Sequence, residues 1–278
     1  MPYDYELISV ELDAGVAFAT IDNPPINLMT VPLFIELGRL GEELESDARV
    51  RVVVLRSANP EFFIAHFDVE AILGFPIEGE PAREEGLNIF HAMCERYRTM
   101  PKATIAQIEG RVGGGGSELA SSFDMRFGVL GKTVVNQMEV PLGILPGGSG
   151  TQRLPRLLGR GRALEVILGA EDLDAETAER WGYLNRALAP AEIGPFVTGL
   201  ARRIGSFPAE AIAAAKASVL NAEPPLEEGL REEAFLFQTL LRNESAQENM
   251  RRFLKIGGQT REGELRVGAL CEKLCTGD

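Results

Sequence analysis

Four consecutive glycines, Gly113 to Gly116, interrupt the chain between a β-type run (Thr104-Ile105-Ala106-Gln107-Ile108) and a short apolar helical segment that carries Glu118. Few arrangements suit such a stretch. Glycine allows backbone angles closed to other residues and lets a ligand or another strand come close. A helix start also presents N–H groups without intrahelical partners. The segment can therefore hold a carbonyl oxygen on backbone N–H groups, with a carboxylate one turn further on. A glycine run after a strand also suits a plain tight turn. A dinucleotide fingerprint fails, because Glu118 stands where a third glycine belongs, and no G-K-[ST] ending makes it a P-loop.

Composition narrows the remaining classes. A chain of 278 residues with 45% hydrophobic content can bury a large core. A formal charge of −13 argues against general binding to nucleic acid or anionic membranes, but not against a small polyanionic ligand. No apolar run reaches membrane-spanning length, and the start MPYDYELISV lacks a signal-peptide layout. Cys94, Cys271 and Cys275 lack paired C-x-x-C spacing. They read as free thiols of a cytoplasmic protein, the last two near a loose C-terminus, with no metal site.

In order, Leu7 to Ile21 alternates around Asp13-Ala14-Gly15 and predicts a β-hairpin. Asn23-Pro24-Pro25-Ile26-Asn27 is a turn, and Leu33, Leu37, Leu40 and Leu44 mark an amphipathic helix. Val50 to Leu55 reads as a strand buried on both faces. Leu73 to Glu85, rich in Gly, Pro and Glu, reads as flexible. The next helix ends before Pro101, and its His91 is expected on the surface. Short strands follow near Met125–Val129 and Thr133–Gln137. From Ser149 onward helices dominate, with Asp174 as an N-cap and Gly182 as a helix end. The pattern predicts an α/β core over 1–205 and an α-helical region over 206–278.

Three separated segments carry a family resemblance: IEGRVGGGGSELASSFDMRF, NQMEVPLGILPGGSGTQRLPRLLGRGRALEVIL and VVVLRSANPEFFIAHFD. In order and spacing the chain resembles the enoyl-CoA hydratase/isomerase (crotonase) family from about Tyr5 to Ala189. The resemblance implies a superhelix of ββα units, C-terminal helices that build a homotrimer or hexamer, and an acyl-CoA thioester as ligand. Coenzyme A would then belong to the substrate, with no separate cofactor. It also implies an oxyanion hole from the N–H groups of Gly115 and Phe67. Glu118 and Glu139 would orient a water, with Glu139 donating a proton to the α-carbon. Ala65, His66, Asp68, Gly114, Pro146 and Gly147 are the implied substrate contacts.

The chain departs from the family pattern at several points. His66 replaces a glycine, Phe67 an alanine, Asn136 a glycine and Met138 a proline. His66 reads as a pocket-wall or CoA-contacting residue rather than a base, and Lys255 as a weaker contact for a CoA phosphate. Hydration of a trans-2-enoyl-CoA is the expected reaction. Double-bond isomerisation and acyl-CoA binding without hydration are the alternatives.

Overall fold

The computed structural model describes residues 3–276, with side chains through Leu274. The chain opens with a hairpin of β1 (Ile8–Asp13) and β2 (Val16–Ile21), whose turn residues Ala14 and Gly15 both have positive φ, +49° and +81°. Such a turn matches the twist of the flanking strands. Helix α1 (Val31–Ser46) is capped by Thr30 and buries Leu33, Leu37, Leu40 and Leu44 completely.

Three successive turns of chain then repeat one path. β3 (Val52–Ser57) and β4 (Phe62–Ile64) lead to α2 (Val69–Leu73) and α3 (Ile89–Thr99), with no helix or strand assigned over 74–88. β5 (Ala103–Ile108) and β6 (Arg111–Gly113) lead into α4 (Gly114–Ser121). β7 (Met125–Val129) and β8 (Val134–Asn136) lead to α5 (Gly150–Leu158) and α6 (Arg160–Gly169). In each turn the first strand joins one sheet and the second joins another. With β9 (Leu173–Asp174), α7 (Ala175–Trp181), β10 (Arg186–Leu188) and α8 (Ile193–Gly205), the orders are β1-β2-β3-β5-β7-β10 and β4-β6-β8-β9. All pairings are parallel except β1 with β2 and β8 with β9. Each turn advances both sheets by one strand, which makes the path a superhelix of ββα units. β5 is buried at every position, as a strand covered on both faces requires.

Helices α9 (Ala209–Leu220), α10 (Glu227–Leu241), α11 (Glu244–Lys255), α12 (Arg261–Glu264) and α13 (Val267–Thr276) complete the chain. The expected division near 205–206 falls in the link between α8 and α9. The last helices fold back on the core: Leu241, Ala246, Met250, Phe253 and Leu270 share one apolar cluster with Val69, Ile72, Met138, Leu142 and Ile144. Cys271 is buried in that cluster, a correction to its expected place on a loose terminus; the side chain of Cys275 lies outside the described residues. α9 by contrast buries none of its residues. Among the described residues no helix is long and apolar enough to cross a membrane.

Candidate active site

Three segments meet around a cavity of about 490 Å3: the end of β4, the start of α4, and the connection from β8 to α5. Gly114 opens α4 at φ +42°, a left-handed conformation that favours glycine. A Cβ on Gly115 would stand 3.1 Å from Phe67 Cβ and 3.5 Å from Phe67 N, so a side chain there would crowd Phe67. The Gly115 N–H lies in the first helical turn, where no intrahelical acceptor exists. The Phe67 N–H donates to no acceptor among the described residues, although its neighbours pair regularly through Met29 N–H to His66 O and Asp68 N–H to Met29 O.

Glu118 and Glu139 both line the cavity and both are buried. Glu118 Oε1 accepts N–H bonds from Gly148 and Gly150 at 2.8 and 2.7 Å. A Cβ on Gly148, itself a lining residue, would stand 2.6 Å from Glu118 Oε2, so a side chain there would press on the carboxylate. Burial, then the nearby Glu139 and Glu233, push the Glu118 pKa well above the usual carboxylate range, against the pull of its two N–H bonds. Glu139 Oε2 accepts from Gln137 Nε2 at 3.1 Å. Burial pushes the Glu139 pKa up to about 7, while a backbone hydrogen bond, His66 and Gln137 pull it down. Two such groups in one apolar cavity titrate as a pair, and one can keep a proton where the other is charged.

A third carboxylate, Glu233 on α10, was not among the sequence expectations. Its Oε1 accepts from Ser149 N–H at 2.6 Å and lies 3.0 Å from His91 Nε2; its Oε2 accepts from Thr151 N–H at 2.9 Å and from the Thr151 hydroxyl. The N–H groups of residues 148 to 151 therefore alternate between Glu118 and Glu233. Anchoring carboxylates to the positive end of α5 is electrostatically favourable. Glu233 carried one signal: it falls on the helical stripe Leu226, Leu230, Glu233, Phe237, Leu241, where a charged residue is out of place. His91 is fully buried against Glu233, which corrects the expected surface position.

The other expected contacts divide. His66 and Gly147 line the cavity; Ala65, Asp68, Gly114 and Pro146 do not. Ala65 packs with Ile26 and Phe62, and the Asp68 carboxylate caps α2 by accepting from Glu70 N–H at 2.9 Å. The His66 ring faces Glu264 of α12, 3.1 Å away, a partner not foreseen from sequence. Lys255 ends α11 and is exposed. Among the described residues no three His, Cys, Asp or Glu side chains converge in a cluster that could hold a metal ion.

The superhelix of ββα turns, with this cavity at the start of α4, defines a crotonase-fold protein. The family model described as enoyl-CoA hydratase/isomerase matches residues 11–259, and the chain belongs to that family. It is 32% identical over 214 residues to a short-chain-enoyl-CoA hydratase of Clostridium acetobutylicum, covering 76% of this chain and 80% of that protein. It is 29% identical over 253 residues to a crotonyl-CoA hydratase of Syntrophomonas wolfei, covering 90% and 96%. Among solved structures, a candidate enoyl-CoA hydratase from Streptomyces avermitilis is similar at TM-score 0.88 and 37% identity, covering 98% of this chain and 99% of that one.

Proposed function

We propose that the protein is an enoyl-CoA hydratase that adds water across the 2,3 double bond of a trans-2-enoyl-CoA. One observation carries this reading: Glu118 and Glu139 line the same cavity as Phe67 and Gly115. The thioester oxygen accepts from the Phe67 and Gly115 N–H groups. As the water oxygen bonds to C3, negative charge moves onto that thioester oxygen, where each well-aimed donor lowers the barrier by about 3–4 kcal/mol. One carboxylate takes a proton from the attacking water while the other delivers a proton to C2. The pair ends the cycle with its proton moved from one member to the other, and exchange through the next water resets it. By sequence, Glu139 is the donor. Their neighbours favour the opposite resting state, with the proton on Glu118 beside Glu139 and Glu233, and the charge on Glu139 beside His66.

Isomerisation would need a single carboxylate to shuttle a proton between C2 and C4; a second one in the same cavity favours hydration. Coenzyme A enters as part of the substrate; of the expected contacts, His66 and Gly147 line the cavity. The unburied α9, with Val219 67% exposed, and the exposed Leu236 of α10 support assembly into a homotrimer or hexamer. A monomeric mass on sedimentation at micromolar concentration would refute that assembly. The reaction is tested with enoyl-CoAs of several chain lengths and branchings. Gain of one water by a 2-enoyl-CoA supports hydration, and conversion of a 3-enoyl-CoA without water gain would replace it by isomerisation.

A further inference from the structure

His66 stands directly before Phe67 in the chain. Its ring is buried, and both ring nitrogens face acceptors: Nδ1 lies 2.7 Å from Phe67 O, and Nε2 lies 3.1 Å from Glu264 Oε1. A carbonyl oxygen can only accept. Glu264 Oε1 already accepts the Gln259 N–H at 2.7 Å. A neutral imidazole has one N–H, so it cannot donate to both; an imidazolium facing a carboxylate can. Gln259, at φ +63°, returns the hold from the other side, its Oε1 accepting the Val69 N–H at 2.6 Å. The segment 259–264 thus grips the chain at His66 and at Val69, on both flanks of Phe67.

The groups packed around His66 are few. Glu264 comes from α12, Glu139 from the turn after β8, and the Phe253 ring from α11 at 5.9 Å, while Arg111 on β6 acts on Glu264. Beyond Glu139 lie Glu118 and Glu233. Burial draws the His66 pKa down, but Glu264 and the Phe67 carbonyl hold it above the ordinary histidine value. Burial likewise draws the Glu264 pKa up, and His66 holds it below the usual range. A buried ion pair is a weak source of stability, since an apolar pair of similar volume often serves as well. Its place beside the site gives it another use.

We propose that His66, Glu264 and Gln259 form a positioning clasp for the oxyanion site. The clasp holds the Phe67 peptide from both flanks and keeps a fixed positive charge behind Glu139. The C-terminal segment thereby governs the rate, with Glu264 and Gln259 acting through residues 66–69. The inference rests on the hydratase reading above for its kinetic consequences, and on geometry alone for the charge.

Two variants separate the parts. The double substitution His66→Gln with Glu264→Gln removes both charges and leaves neither buried alone. It is expected to lower kcat about 10–100-fold, the usual loss from a small misplacement at a reacting centre, with KM nearly unchanged. The limb of its pH–rate profile that Glu139 sets should move to higher pH, because Glu139 loses the nearby cation. Gln259→Ala should lower kcat without moving that limb. A cooperatively folded double variant with wild-type kcat and an unmoved limb would overturn the clasp and leave a merely structural pair. The charge is read separately by nitrogen NMR of the imidazoles at neutral pH. The chain has only 2 histidines, and the signal missing from the double variant identifies His66. Two ring protons are expected, and one would overturn the charged clasp. That spectrum needs no turnover, so a wild-type protein that hydrates no enoyl-CoA would refute the hydratase reading without deciding the clasp.

Discussion

The floor and the roof of the cavity are held in different ways. On the floor, Glu118 and Glu233 each take two backbone N–H groups from the start of α5, at 2.6–2.9 Å. On the roof, Phe34 stacks on Phe90 at 5.6 Å, and Phe67 meets Phe34, Phe90 and Phe75 at 6.0–6.2 Å through edges and tilted faces. The floor cannot shift without stranding a buried carboxylate or an N–H group, which is expensive in a dry interior. Aromatic contacts are worth about 0.5–1.5 kcal/mol each beyond their area, and they tolerate changes of ring or size. Reaction type should therefore be written into the floor and substrate choice into the roof.

The sharpest way to break this contrast is at Glu118. Glu118→Gln keeps the shape of the floor but removes its proton-transfer capacity, and hydration should fall about 10²–10⁴-fold in a steady-state assay. Glu233→Ala touches no substrate but leaves the Ser149 and Thr151 N–H groups and His91 without their partner. A loss of about 1–3 kcal/mol per stranded group is expected, read as a lower melting temperature together with a slower reaction. An unchanged melting temperature would show that the floor is not held through Glu233.

A smaller effect follows from pH. The folded-state pKa of Glu139 is raised to about 7, so its proton favours the folded state; that contribution is complete below the ordinary value of 4.5 and is lost as pH rises toward 7. Glu139→Gln should accordingly melt higher than the wild type at pH near 8, with the gap closing toward pH 5. On the roof, Phe67→Ala should reorder the acyl chains by preference more than it lowers the best rate. A uniform loss with an unchanged ranking would place substrate choice elsewhere.

What was legible in the sequence was set by local chemistry. The Asp13-Ala14-Gly15 turn, the Leu33-Leu37-Leu40-Leu44 stripe, the Asp174 cap and the Gly182 helix end all depend on neighbours a few residues away, and each stands where expected. Glu118 and Glu139 were found because both lie in the runs that carry the family resemblance, and both do line one cavity. Glu233 and Glu264 were missed because their partners lie 84 and 198 residues away, beyond any periodicity. His91 was misplaced for the same reason: a polar ring on a helix reads as surface until the carboxylate that buries it is known. Cys271 reads as terminal, yet the C-terminal helices fold back over Met138 and Leu142 and bury it.

The most direct test of the central claim is a double-mutant cycle on hydration of a trans-2-enoyl-CoA, with Glu118→Gln, Glu139→Gln and the two combined. If the carboxylates act on one water as a unit, each single change removes most of the rate and the combination loses little more. Acyl-CoA affinity should barely move, because backbone N–H groups hold the thioester oxygen. Losses that multiply, or near-normal hydration by the Glu118→Gln protein, would contradict the account.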